Sequence, residues 1–124
     1  MDKIILMAGS VSGALSVMIG AFGAHALKAL LEANQRSETF ETAVKYQFYH
    51  SLALVLTGIL AQKTESPHLN MAAYSFVAGI LIFSGSLYIL SLTGIRWLGA
   101  ITPIGGVAFI AGWIFLTMHV NLKL

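Results

Sequence analysis

Cysteine is absent from this 124-residue chain. There is therefore no disulfide framework, no thiolate nucleophile and no cysteine-based metal site. Charge is nearly as scarce: Asp, Glu, Lys and Arg make up 10% of the residues, where a soluble domain carries about 25%. A water-soluble fold so poor in charge would expose large apolar patches. The few charges are also segregated, at Asp2 and Lys3, between Lys28 and Lys45, at Lys63 and Glu65, at Arg96 and at Lys123. No acidic residue falls inside the long uncharged runs between them. That excludes paired-carboxylate catalysis and cation transport built on membrane carboxylates. The basic residues are scattered rather than gathered into a stripe, so nucleic acid is not a partner.

What remains is hydrophobic: 57% of the residues are apolar. About 20 consecutive apolar residues are enough to cross a bilayer, and the charge pattern leaves room for four such runs. The expectation is an all-α, polytopic transmembrane four-helix bundle forming one integral domain over 1–124. Its spans are placed at about 4–27, 44–62, 69–92 and 98–122, with a polar connector at 28–43. Ala24-His25-Ala26 has the small-x-small form of a signal cleavage site, but the run from Ile4 is longer than a signal core and Asp2 opposes Lys3 before it. Retention as the first span is expected.

The spans share one habit, a face of small residues. Ser12, Ser16, Gly20 and Ala24 recur at spacing four on helix one, with Gly9 and Gly13 beside them. Gly79 on helix three, and Gly105 and Gly112 on helix four, extend the pattern. In lipid, helices associate where small residues let backbones approach, so these positions are expected to be packing seams. Helix one is expected to run on beyond Leu27, since Lys28, Glu32 and Arg36 fall at ion-pair spacing, and Ser37 to cap helix two. Helix two is expected to turn Ala43, Gln47, His50, Thr57 and Ala61 inward, and Phe48, Leu52, Val55 and Ile59 to lipid. Thr93-Gly94 reads as a helix stop. Arg96 and Trp97 read as interface anchors. Thr102-Pro103 reads either as a cap with proline in the first turn, or as a kink.

Histidines are the obvious candidates for chemistry. His25 and His50 fall on the connector side, His68 and His119 on the other, so one four-His centre would have to reach across a core of about 30 Å. No His-x-x-His spacing occurs, and no metal, cofactor or catalytic set is assigned. The best polar cluster is His25 with Gln47 and His50, ringed by Tyr46 and Tyr49. It reads as hydrogen-bonding glue, as a proton or ligand site, or as a metal site. His25 and His50 are expected at similar depth, joined by a hydrogen bond directly or through Gln47 or water. At least one is expected to be neutral, because two buried cations would repel.

Four stretches carry a resemblance: Gly20-Ala21-Phe22-Gly23-Ala24-His25-Ala26-Leu27, the segment from Lys45 to Leu54 containing Tyr46-Gln47-Phe48-Tyr49-His50, Phe83-Ser84-Gly85-Ser86-Leu87-Tyr88, and Thr102-Pro103-Ile104-Gly105-Gly106. In this order they resemble the YwdK/YgdD family of small bacterial membrane proteins, domain of unknown function 423 (uncharacterised protein family 0382), over essentially the whole chain. The resemblance implies a multi-pass protein of the bacterial plasma (inner) membrane. It supplies no activity and no functional residues.

The functional expectation is a non-enzymatic accessory, assembly or structural component acting through helix contacts, in the lipid bilayer, as a homo-oligomer or with a membrane-protein partner. The alternative is a small transporter or channel with a polar path near His25, Gln47, His50 and Thr57. Lys3, Lys63 and Lys123 stand against Lys28, Arg36, Lys45 and Arg96, a slight lean toward both termini outside.

Overall fold

A computed structural model describes residues 1–123, with side chains through Leu122. Leu124 and the side chain of Lys123, used in the charge count above, lie outside the described residues. All regular secondary structure among the described residues is helical. It comprises α1 (Asp2–Ala24), α2 (Lys28–Ala33), α3 (Ser37–Lys63), α4 (Pro67–Gly79), a π turn (Ile80–Ser84), α5 (Gly85–Thr93), a 3-10 turn (Arg96–Ala100) and α6 (Thr102–Lys123).

The first helix ends earlier than the charge spacing suggests. The Leu27 amide bonds back to the Phe22 carbonyl at 2.8 Å, which closes α1 at Ala24 and lets the chain turn before α2 begins. Helix α2 ends in its turn at Gln35, a non-glycine residue with φ 55°, and the Arg36 amide caps the Leu31 carbonyl at 2.9 Å. Arg36, not Ser37, is the residue preceding α3. The third apolar run becomes a 27-residue helical stretch from Pro67 to Thr93 with the π turn inside it. Gly94 stops it in the left-handed region at φ 73°, a conformation that costs glycine little. Of the two readings at Thr102-Pro103, the structure adopts the first-turn proline, with a separate 3-10 turn before it.

Three segments among the described residues are long and apolar enough to cross a membrane: Asp2–Ala24, Pro67–Thr93 and Arg96–Leu122. Of the four expected spans, these three meet the criterion of length and composition. Helix α3 has the length, at 27 residues, but Gln47, His50, Ser51 and Thr57 dilute its hydropathy. Those four are buried. Helix α3 is the hub: α1 packs along one side of it, while α4, the π turn and α5 pack on others. Helix α6 lies on α4 and the π turn.

Glycines set how closely these helices approach. A Cβ at Gly9 would stand 2.9 Å from the Ser51 carbonyl oxygen, and one at Gly20 would stand 3.2 Å from Val44. Between α4 and α6 the fit is reciprocal: Phe109 covers Gly79 and Phe76 covers Gly112. At Gly105 the backbone of Phe83, in the π turn, comes so near that a Cβ would collide. Gly13 lies more loosely against Ser51, Ser16 is buried with its hydroxyl donating to the Gly13 carbonyl at 2.7 Å, and Ala24 is exposed. The main core joins Ile5, Ala53, Leu54, Ala72, Ala73, Phe76 and Phe109. A second core, of Ala43, Leu87, Leu90 and Leu98, lies toward the 3-10 turn.

Candidate functional site

Residues 43–51 of α3 receive most of the hydrogen bonds that cross between helices. Toward α1, the Gln47 amide nitrogen donates to the Ser12 carbonyl at 3.1 Å and reaches the Ser12 hydroxyl at 3.4 Å. The Ser51 hydroxyl lies 2.7 Å from the Ser12 hydroxyl and 2.6 Å from the Gln47 carbonyl. Toward α5, the Tyr88 hydroxyl donates to Gln47 Oε1 at 2.5 Å. The Ser84 hydroxyl, at the end of the π turn, donates to the Ala43 carbonyl at 2.8 Å. The side-chain amide of Gln47 thus uses its carbonyl on one helix and its nitrogen on another. A buried amide left unpaired would cost several kcal/mol in an apolar medium, of order 2–7 kcal/mol. This arrangement avoids that cost.

His50 stands about 100° around α3 from Ser51, the angular step of one helical residue. It therefore faces α4 and α6 instead of α1. Its Nδ1 lies 2.7 Å from the Tyr46 carbonyl, and Trp113 Nε1 donates to its Nε2 at 3.1 Å. The carbonyl can only accept and the indole can only donate. Together they select the neutral tautomer with the proton on Nδ1. The ring stacks on Phe109, with centroids 3.6 Å apart and planes at 11°, and Phe76 lies 5.6 Å away.

The cluster expected from the sequence is divided. Tyr46, Gln47 and His50 come together, with Tyr46 tilted against Phe83 at 4.8 Å. Tyr49 is exposed, its ring tilted against that of Tyr46 with centroids 5.7 Å apart. His25 is the exposed residue that closes α1. The expected His25–His50 hydrogen bond is not formed, since both ring nitrogens of His50 are taken by Tyr46 and Trp113. Thr57 is buried and bonds to the Ala53 carbonyl of its own helix at 2.7 Å. Arg96 and Trp97 are exposed in the 3-10 turn. His119 is buried with Nδ1 unpartnered among the described residues.

Sequence reasoning missed Trp113, Tyr88 and Ser12 as hydrogen-bonding partners. Signals for two of them were present. An indole or phenol in an apolar span seeks a partner for its polar end, and Tyr88 closes a motif that already carried the family resemblance. Ser12 was read as a packing residue, which it also is.

Residues 19–106 match the family described as protein of unknown function (DUF423). The chain is 48% identical over 114 residues to the UPF0382 membrane protein SH2409 of Staphylococcus haemolyticus, covering 92% of each. It is 47% identical over 116 residues to the UPF0382 membrane protein SSP2132 of Staphylococcus saprophyticus, covering 94% of this chain and 95% of the relative. Against the UPF0382 membrane protein YwdK of Bacillus subtilis it is 43% identical over 117 residues, 94% of each. No solved structure matches. With whole-length relatives of this kind and a helical, largely apolar architecture, the chain belongs to the DUF423 family of membrane proteins, known also as UPF0382.

Proposed function

We infer that this is a non-enzymatic component of the bacterial plasma membrane that crosses the bilayer four times, with α3 as the inner span, and acts as an accessory or assembly partner of another membrane protein. One observation carries the reading. The buried polar side chains of residues 43–51 are engaged with one another and with neighbouring helices. Fixed pairing of this kind locks helices together, and it commits the donors of these groups to protein partners instead of a substrate or a permeating ion. Burial of the polar face of α3 supports its role as a span, because a polar helix tolerates the bilayer when its polar face turns into protein.

The transport reading needs His25, Gln47, His50 and Thr57 to form one path. His25 is at the exposed end of α1, and Thr57 is bonded to its own helix, so this reading draws less support. Crosslinking in native membranes followed by identification of products tests the inference, with the expected result a stoichiometric membrane-protein partner. Uptake or conductance by the purified protein in liposomes, without such a partner, would favour transport.

A further inference from the structure

Helix α1 runs antiparallel to α3 in a fixed register. A Cβ at Gly20 would stand 3.2 Å from Val44, one at Gly23 would collide with the Phe40 ring, and at the other end Gly58 of α3 meets Leu6. Lys45 follows Val44, so its backbone lies level with Gly20. That is about 6 Å inside the end of α1 at Ala24, the rise of one turn. Helix α1 is long and apolar enough to span the bilayer. Lys45 therefore starts within the depth of that span, and its ammonium has to reach outward along the helix surface.

It does so in a groove of about 500 Å³ enclosed by the end of α1, by α2 and by the start of α3. Gly20, Gly23, Ala24, Phe40 and Val44 give the groove an apolar lining. Its charged lining is Lys28 and Glu32 on α2, with Glu41 and Lys45 on α3. Lys28 is the first charge after α1, and Lys45 the last before the apolar part of α3. Glu32 and Glu41 each stand four residues further from those apolar segments. All four are exposed. Among the described residues no salt bridge joins any of them, although both pairs have the spacing for one. The groove thus brings two unpaired ammonium groups beside an apolar surface at the edge of the bilayer. The occupant that suits it carries an anion and hydrocarbon together. The two carboxylates disfavour a multiply charged anion, such as free phosphate or a phosphomonoester, and favour the single charge of a phosphodiester.

We propose that this groove holds one membrane phospholipid, with its phosphodiester between Lys28 and Lys45 and one acyl chain along Gly20, Ala24 and Val44. The proposal rests on the membrane-embedded reading above and not on a protein partner. The test uses the full chain, delipidated in non-ionic detergent and titrated under native mass spectrometry with phosphatidylglycerol or with diacylglycerol of the same acyl chains. One retained phosphatidylglycerol is expected, with diacylglycerol at least about tenfold weaker because it lacks the phosphate. Lys28→Gln and Lys45→Gln, both at exposed positions, should each weaken retention about fivefold, the factor for one lysine near a lipid surface. Lys63→Gln removes the same charge from the other end of α3 and should change nothing. Ala24→Trp, which fills the groove from an exposed position, should weaken retention by about tenfold or more, as exclusion of two methylenes would. If that variant does not fold, the two lysine variants decide the matter. Equal retention of the two lipids, unchanged retention in both lysine variants, an equal loss in Lys63→Gln, or displacement by soluble glycerophosphoglycerol would overturn the proposal. Crosslinking to a protein partner, or its failure, leaves each of these outcomes unchanged, so the two inferences fail separately.

Discussion

At the scale of the residue, His50 shows how a titratable group can be made structural by its two neighbours. A protonated ring would have to abandon the Trp113 N–H, since both nitrogens would then be donors. His50→Leu leaves that indole without an acceptor and should cost about 1–3 kcal/mol; His50→Gln, which can still accept, should cost less. A double-mutant cycle with Trp113→Phe, read by reversible unfolding in mixed micelles, should return a coupling of about 0.6 kcal/mol, typical of membrane hydrogen bonds. Zero coupling would remove the bond from the account. Glycines allow an equally sharp contrast. Gly105→Ala places a methyl against the Phe83 backbone and should destabilise by about 1–3 kcal/mol, the usual cost of overpacking. Gly85 has nothing within 4 Å of a Cβ. Gly85→Ala should therefore be neutral or gain up to about 1 kcal/mol of helix propensity. The two melting temperatures in one detergent should move in opposite directions, or at least differ clearly.

At the scale of the element, α3 is the least apolar of the long helices and the most interior. Its hydropathy is low because it carries the polar groups that the other helices bond to, so a composition test counts it out while packing puts it at the hub. If α3 crosses the bilayer, its two ends lie on opposite sides. The absence of cysteine lets single thiols be placed at Gln35 and at Glu65, both exposed. An impermeant maleimide should label Gln35→Cys from one face of the membrane and Glu65→Cys from the other. Labelling of both from the same face would place α3 outside the core and refute the four-span reading. The π turn belongs to this scale as well. It interrupts the apolar run where Phe83 meets Gly105 and where Ser84 reaches the Ala43 carbonyl, and π turns recur at sites of such local adjustment. Nothing in the periodicity of residues 67–93 signals it, because all of those residues are compatible with an uninterrupted α-helix.

At the scale of the whole molecule, α1 packs as an integral part of the bundle. It supplies the acceptor for Gln47, and Gly9 and Gly58 fix its close approach to α3. Cleavage after Ala26 would strip Ser12 from Gln47 and Ser51. The intact mass of the protein from membranes should therefore include Ile4–Leu27, and alkaline carbonate should leave it in the pellet. A mature chain beginning at Leu27 would contradict both.

Charge scarcity and segregation, with small residues at helical spacing, were enough to read from the sequence a helical membrane protein, the approximate ends of its helices and the glycines on which they pack. These are local properties: burying backbone in lipid demands helices, and a close approach demands residues without bulk. The sequence also carried the family resemblance. What it could not decide was azimuth. Each residue turns the helix by about 100°, so neighbours such as His50 and Ser51 face different partners, and only the packed arrangement of α1, α4 and α6 around α3 determines which. That is why His25 and His50, close in expected depth, are not partners, and why Trp113 and Tyr88, distant in sequence, supply the bonds that residues 46–51 require.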